Sequence, residues 1–490
     1  MAVKILLVSG SNVHIKDFPD KLGKIKIGNS FYKAPGIYII ADELRKKGYQ
    51  TDVIDHITFW THEALDQFVD THDYDVLGVS HVTLSTEIVQ IVLDKFKKKS
   101  KNIKTIVGAF HPSYNKVISD YYVYGHSETA IHEIIKDIEN ENDELIFTEY
   151  NSGKFVDATQ SYPARLDFNY SFELYEEDDW KNNDIPSIET SRGCPFKCKF
   201  CSFPLIGMKK DTSIDMKRLE DQLKRNYEEF GIKHYITADD TFNSSSDKLA
   251  NMAESVSKLS FKPTFSGFIR FDLLITKPEQ KELLVGCNYI GHYYGIETFH
   301  RPSGQIIGKG MDPNRIKENL IDLDKYFSKY LDLYRMTISL IVGLPKQPEE
   351  SILETQDWLF ENLSHHHWNW IALMIEENAF YLSEFSKNYE KYGIRKIIKP
   401  IPKSETMAGS TGDGYNLVSW EHDIMNYNRA LELGNFLNRQ REGKSRLIGA
   451  WRSPYLAAGI INDDMTESEI ESTLTSQLDI HNYILGRMML

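Results

Sequence analysis

Cysteine is scarce in this sequence, four residues in 490, and three of the four fall within eight positions. A disulfide scaffold needs pairs spread through a small secreted chain, so that class is excluded. Long hydrophobic runs are also missing. The longest apolar stretches, such as Thr337 to Pro345 (TISLIVGLP), reach about half of the roughly 18 residues needed to cross a bilayer, and no membrane partner is expected. Positive charge is in deficit, with 57 Lys and Arg against 71 Asp and Glu and a net charge of -14, so attraction to a phosphate backbone is weak and nucleic acid is not an expected partner. Met1 to Gly10 (MAVKILLVSG) carries one Lys and a short apolar run ending in a turn, without a signal-peptide cleavage region, and reads as a first strand of a cytoplasmic protein. No Ser-His-Asp order, P-loop or GxGxxG pattern is present, and Gly10-Ser11-Asn12 falls short of a phosphate-binding fingerprint.

What the chain has is length and an ordinary globular composition, 41% hydrophobic and 26% charged. At roughly 150 residues per domain, about three domains are expected. Residues 1–140 alternate short β-rich runs with helical patterns: KILLVSG, a helix over Gly36 to Lys47, TDVID, YDVLGVS, a helix from Thr86 to Lys98, TIVGAFHPS and YYVYGHSE. This alternation predicts a doubly wound parallel sheet whose ligand sits beyond the carboxyl ends of the strands, where Gly10, Ser80, Gly108 and Gly125 fall. Residues 141–184 are polar, acidic and weakly periodic, and read as a linker with at most a short hairpin. A second αβ series fills residues 185–400 with about six strands, as in a full or partial (β/α) barrel with chemistry at the strand C-termini. Residues 401–490 read as a mainly helical C-terminal region with a Gly-rich loop; Gly409, Gly412 and Gly414 give the segment Ala408 to Gly414 the freedom of a substrate lid.

The clustered cysteines are Cys194, Cys198 and Cys201 in RGCPFKCKFC, after the predicted strand PSIETS. Structural zinc takes four ligands, and Cys287, 86 residues on in the apolar LLVGCNYIG, is more economically a core residue. Three thiolates on one loop can hold three irons of a four-iron cluster and leave the fourth open to an exogenous ligand. A reduced exposed turn, or a zinc knuckle borrowing a histidine, is the alternative. Gly193 and Pro195 bend the loop, and Arg192, Lys197 and Lys199 are expected to offset the thiolate charge.

With Phe200 before the last cysteine, the loop resembles that of radical S-adenosylmethionine (SAM) enzymes, CxxxCx(aromatic)C at the end of the first barrel strand. The resemblance covers about residues 185 to 360 and implies a 4Fe-4S cluster on Cys194, Cys198 and Cys201 that binds SAM. It further implies that Asp239 and Asp240 (ITADDTF) meet the methionine amino group, Arg270 (FIRFD) the carboxylate, Glu297 (GIET) the ribose or amino-acid moiety, and Gly343 (LIVGLP) the adenine side. Ser339 stands where the family often has Gly, and Lys346 where it often has Glu.

The N-terminal segments APGIYIIADELRKKGYQTDVID, YDVLGVSHVTLST, VGAFHPS and YVYGHSE resemble the cobalamin-binding domain of one large radical SAM class. The resemblance implies cobalamin near Ser80, Gly108, His111 and Gly125. Asp55 and His56 are adjacent, so the DxHxxG motif that supplies a lower histidine ligand is absent and none is expected; His81 and His111 are read as loop histidines. The implied activity is cleavage of SAM to a 5'-deoxyadenosyl radical and methylation of an unactivated carbon. The substrate is expected to be a small molecule, a peptide or a protein side chain, and the electron donor a flavodoxin or ferredoxin. Radical rearrangement, ring contraction or oxidation is the alternative within the class, and a noncatalytic iron-sulfur redox module the alternative outside it. The tract His365, His366 and His367 is not expected to bind a metal, because successive helical residues point about 100° apart. Trp368 and Trp370 are expected to pack a helix against the barrel, and Glu176 to Asp179, Asp463 and Asp464 to form solvated faces.

Overall fold

A computed structural model describes residues 3–10, 15–16, 25–26, 33, 35–81, 84, 86–108, 117–140, 145–159, 173–201, 212–375, 383–400, 418–477 and 480–489. They form two compact units, one from the described residues of Met1–Ser187 and Glu471–Leu490, the other from those of Ile188–Ala408 and Asn416–Ile470.

The first unit holds a seven-stranded sheet of β1 (Lys4–Val8), β2 (Gln50–Ile54), β3 (Val76–Ser80), β4 (Lys104–Gly108), β5 (Tyr121–Tyr124), β6 (Thr148–Tyr150) and β7 (Gly153–Asp157), in the order β2-β1-β3-β4-β5-β7-β6. All pairings are parallel except β6 with β7. The reason is visible in the sequence: β1 and β3 are apolar runs buried along most of their length, as strands covered on both faces must be. The crossover helices are α1 (Pro35–Lys46), α2 (His62–Thr71), α3 (Thr86–Lys99) and α4 (Ala130–Ile138). In α1, Ile37, Tyr38, Ala41 and Leu44 make the buried stripe, Arg45 and Lys46 sit in the last turn, and Gly48 takes φ 90° just beyond it. The hairpin β6-β7 lies within the stretch read as linker. It is part of the sheet, because β7 pairs in parallel with β5 over four residues.

The second unit holds a six-stranded sheet whose order follows the sequence: β8 (Ser187–Ile188), β11 (His234–Thr237), β12 (Thr264–Ile269), β13 (Tyr289–Glu297), β14 (Arg335–Val342) and β15 (His367–Ala372). The four pairings from β11 to β15 are parallel. A separate two-residue pair joins β9 (Ser191–Arg192) to β10 (Thr212–Ser213). Helices α5 (Met216–Phe230), α6 (Ser246–Ser257), α7 (Phe271–Thr276), α8 (Glu279–Gly286), α9 (Arg301–Ile307), α10 (Pro313–Tyr330) and α11 (Glu349–Leu363) make the connections. Local chemistry sets their ends. The Asp215, Ser245 and Asp312 side chains accept backbone N–H groups at the starts of α5, α6 and α10, and Gly231 closes α5 at φ 70°. This α/β architecture, a parallel-sheet unit followed by an open partial barrel with a largely helical C-terminal part, is the one the alternation predicts.

β15 differs from expectation. The tract beginning at His365 is expected to be helical, yet HWNWIA alternates, with Trp368, Trp370 and Ala372 buried on one face and His367, Asn369 and Ile371 half-buried on the other. Both indole N–H groups donate to Gln356 Oε1 on α11, at 2.9 and 2.8 Å, so the tryptophans do pack a helix against the sheet, from within a strand. Of the expected solvated faces, Glu176, Glu177, Asp463 and Asp464 are exposed, but two of the acids are ion-paired and one of these is buried. Asp178 is buried against Arg45 in a bidentate pair at 2.7 and 2.9 Å, and Asp463 bridges Arg335 and Arg446. No described helix is long and apolar enough to cross a membrane.

The last helix, α16 (Ile480–Arg487), belongs to the first unit. Its Tyr483 hydroxyl accepts the Asp55 N–H and donates to the Asp55 carbonyl, both at 2.8 Å, and Arg487 donates to the Val53 and Glu177 carbonyls.

Candidate functional site

The cysteine loop leaves β9 at the C-terminal edge of the second sheet. Gly193 takes φ 98°, a conformation open to glycine, and Cys194, Cys198 and Cys201 are all half-buried. A tight turn joins the second and third cysteines, with Cys201 N–H on the Cys198 carbonyl at 3.2 Å. Lys199 pins the loop on two sides: its N–H donates to the Ile307 carbonyl, and its own carbonyl accepts from Phe385 N–H. Burial pushes the Cys194 thiol up, and Thr241 Oγ1 stands 3.6 Å from its sulfur.

The cations nearest the sulfurs are not those named from the sequence. Arg192 is turned into a bidentate pair with Glu189, at 3.0 and 2.7 Å, and Lys197 is exposed. Arg270, just past β12, places Nη1 3.6 Å from Cys198 Sγ and its guanidinium 3.6 Å over the Phe196 ring. Burial works to lower the Arg270 pKa, but Asp272 and the Cys198 sulfur outweigh it. Lys309, between Gly308 and Gly310, donates to Glu297 Oε1 at 2.9 Å and to the Gly295 carbonyl at 2.6 Å, and its ammonium lies 5.8 Å from the Phe200 ring centroid. Burial alone would lower its pKa; the Glu297 and Cys198 charges raise it.

Glu297 itself is buried at φ 70°, a left-handed conformation costing a non-glycine residue about 1–3 kcal/mol, at the register shift that ends β13. Gly295 makes the ion pair possible. A Cβ there would meet Glu297 Oε1 at 2.5 Å and Lys309 Nζ at 3.1 Å. Sequence reasoning missed Lys309, whose one signal is a lone cation flanked by glycines.

The two strand-end aspartates part company. Asp239 is fully buried and satisfied, accepting from the Thr190 N–H and hydroxyl, the Ser191 hydroxyl and the Lys248 ammonium; it ties the base of the cysteine loop to α6. Asp240 is half-buried beside Cys194. Gly343 takes φ 90°, and the space its Cβ would fill is held by the Trp420 indole at 2.4 Å.

In the first unit, Ser80 and Gly108 are register partners at the C-terminal ends of β3 and β4. Among the described residues, a Cβ on Gly108 would meet nothing nearer than the Val79 carbonyl at 4.0 Å. Gly125 takes φ 91° after β5, against Thr159. His81 approaches Thr86 at 3.2 Å. His56, at φ 58°, is buried beside Phe59 and Tyr483, and burial lowers its pKa; among the described residues its Nδ1 has no hydrogen-bond partner. His111 and the proposed lid from Ala408 to Gly414 lie outside the described residues.

The histidine tract occupies the other edge of the second sheet. His365 and His366 lie in the turn after α11, and His367 opens β15, so the helical premise fails. Both Nε2 atoms bond one carboxylate, Asp324 on α10, at 2.7 and 2.6 Å. Burial would push the Asp324 carboxyl up, but the His366 and His365 hydrogen bonds and charges hold it well below the usual range. His366 Nδ1 accepts the Met336 N–H at 3.3 Å, which leaves the ring proton on Nε2, facing Asp324 rather than leaving a lone pair there for an ion.

Residues 188–359 match the radical SAM superfamily model. An uncharacterized methyltransferase of Pyrococcus horikoshii is 23% identical over 336 residues, which are 65% of this chain and 71% of the relative. Two solved structures share the fold. The radical SAM methyltransferase TsrM of Kitasatospora setae, solved with cobalamin and a [4Fe-4S] cluster bound, is 13% identical with a TM-score of 0.63 over 82% of each chain. The cobalamin-dependent radical SAM enzyme OxsB, solved with aqua-cobalamin bound, is 14% identical with a TM-score of 0.65 over 99% of this chain and 72% of its own.

Proposed function

The chain is a radical SAM enzyme, and we propose that it methylates an unactivated carbon of its substrate with cobalamin, held by the first unit, as the methyl carrier. The observation that carries this reading is the presence in one chain of two chemically opposite strand-end surfaces. One has three half-buried cysteines with Arg270 and the Glu297–Lys309 pair; the other is the uncharged, half-buried backbone of Ser80 and Gly108. The donor sets fit. Three thiols on a pinned loop, with a guanidinium at one sulfur, suit a cluster with one open iron. A glycine at a strand's C-terminal end, with no described side chain over its Cα, suits a large flat ring laid against backbone.

When bound, the cluster supplies the electron that cleaves SAM to a 5'-deoxyadenosyl radical, and cobalamin supplies the methyl group. The chain's own residues do the rest. Arg270 and Lys309 offset thiolate charge and offer donors to a carboxylate. Glu297, held in place by Lys309 and strained at φ 70°, presents an acceptor to a hydroxyl or ammonium group. Phe196 and Phe200 flank the loop and limit the approach of water. Electrons would come from a flavodoxin or ferredoxin, and the substrate is a small molecule, a peptide or a protein side chain.

The test is corrinoid content after anaerobic purification, followed by SAM product analysis. One corrinoid per chain, with 5'-deoxyadenosine and S-adenosylhomocysteine formed together, is expected. Deoxyadenosine without any S-adenosylhomocysteine would move the reading to rearrangement or oxidation.

A further inference from the structure

Among the described residues, one face of the second sheet is only partly filled where a parallel barrel is ordinarily packed with side chains. On β12 every residue is buried except Phe268, which is 41% exposed. The same face of β13 and β15 is half-exposed at Tyr293, Gly295, Asn369 and Ile371, while the alternate residues of both strands are buried beneath the helices. These positions begin at the level of Phe268 and its register partner Tyr293 and continue through Gly295 and Asn369 to Ile371.

That level has a floor. The turn Ala450–Arg452 is pressed onto this face: Ala450 N–H donates to Oγ1 of Thr337, the register partner of Tyr293, at 2.8 Å, and the Ala450 carbonyl accepts from the Ser266 hydroxyl one pleat below and from the Ser453 hydroxyl. Glycine is required opposite, since a Cβ on Gly291 would lie 2.6 Å from the Ala450 carbonyl oxygen. From this floor Trp451 stands perpendicular to Phe268, centroids 5.1 Å apart at 81°, and Tyr293 does the same from its own strand, also 5.1 Å at 81°. Above them, Arg270 follows Phe268 by two residues, about 7 Å along the strand, and reaches Cys198. The polar groups at this height are Ser339 and Asn369. The Asn369 oxygen accepts the Tyr293 hydroxyl at 3.3 Å, which leaves its N–H groups for an acceptor.

We propose that this chamber is the substrate site and that it takes a planar aromatic ring bearing a neutral hydrogen-bond acceptor, stacked among Phe268, Tyr293 and Trp451 with the acceptor turned to Asn369. The proposal rests on the radical SAM reading, because that reading puts the reacting SAM at the edge directly above. The two partners perpendicular to Phe268, themselves tilted at 48°, favour a flat ring over an aliphatic one of equal size through offset and edge-to-face contacts. Ser339, buried but small, leaves room above Tyr293 that a larger side chain would take.

Benzamide, cyclohexanecarboxamide and toluene serve as probes in ligand-observed NMR titrations of the cluster-loaded enzyme. Benzamide is expected to bind saturably, at least fivefold tighter than either of the others. Trp451→Ala is expected to weaken it tenfold, Trp451→Phe to restore most of the loss, and Ser339→Leu to block it by filling the space. Iron content and the far-ultraviolet dichroism of each variant report folding, and Phe436→Ala, exposed on the helix Tyr427–Gln440, is the surface control. Equal affinity for benzamide and cyclohexanecarboxamide, no saturable binding, or benzamide binding untouched in a folded Trp451→Ala would overturn the proposal. Failure of the radical reading would show separately, as wild-type protein with a full cluster that does not cleave SAM.

Discussion

The two sheets are built from the same unit, a parallel strand followed by a covering helix, and differ in the order of their strands. The first, β2-β1-β3-β4-β5-β7-β6, reverses direction at β1, which puts a crevice at the C-terminal ends of β1 and β3. The second runs from β8 to β15 in a single direction, and its ligand surfaces lie on a concave face and along its upper edge. Strand-end chemistry follows the same division. The first sheet ends in Ser80, Gly108 and Gly125; the second ends in cysteines, Arg270, Glu297 and Lys309. Strand order decides where a ligand can lie, and the few residues at the strand ends decide its charge.

The largest effect expected on this division is loss of one function without the other. Cys198→Ala should abolish iron binding and SAM cleavage while corrinoid binding by the first unit persists. Cys287→Ala should retain the cluster, because that thiol is buried against the Leu249 carbonyl and burial pushes its pKa up. Iron and corrinoid assays on the same preparations decide it, and joint loss of both cofactors would erase the division.

Next in size, Arg270→Ala or Lys309→Ala should weaken SAM tenfold to a hundredfold by removing a charge-assisted contact worth about 1.5 to 3 kcal/mol. Isothermal titration with SAM measures this, and an unchanged Kd for both would remove the cation pair from the site.

A third effect concerns acid stability. His292 is fully buried between the Tyr294 hydroxyl and the Tyr289 carbonyl, and burial holds its pKa at about 3. The unfolded chain takes up the proton near the ordinary histidine value of about 6.5, so stability from the neutral folded ring is complete above that pH and falls as pH drops below it. Lowering the pH to 5 should cost the second unit about 2 kcal/mol from this residue, read as a shift in urea midpoint that His292→Gln lacks. A wild-type midpoint independent of pH between 6.5 and 5 would contradict it.

The smallest effect is expected at His56. His56→Ala should leave the spectrum of bound cobalamin unchanged, since the ring is packed beneath Phe59 and Tyr483. Nitrogen hyperfine splitting from a histidine in the cob(II)alamin spectrum would make it a ligand.

The sequence was most readable where structure is local. Apolar runs between glycines located β1 to β5 and β11 to β14 within a few residues, and the cysteine spacing singled out the loop, because both signals sit within ten residues of chain. It was least readable where a partner comes from far away. Asp178 looks solvated until Arg45, 133 residues earlier, closes on it, and exposed Asp463 gives no sign of its pairing with Arg335, 128 residues away. β15 was hidden because a histidine run followed by two tryptophans masks a two-residue alternation. The aromatic chamber needed Trp451, which no periodicity links to Phe268.

Tyr483 grips Asp55 across 428 residues of chain. On the ribosome, β1 to β5 are finished long before α16 exists, and synthesis at about 5–20 residues per second separates Asp55 from Tyr483 by about 20 to 85 seconds. Through that interval the edge at Asp55 to Phe59 lacks the two hydrogen bonds that Tyr483 makes with the Asp55 backbone. The first unit to be translated is thus the last to be completed. Domain-swapped or chaperone-held species should therefore be sought at this edge, and a fragment stopping at residue 187 should be less stable than the same residues supplied with the segment 471–490 in trans.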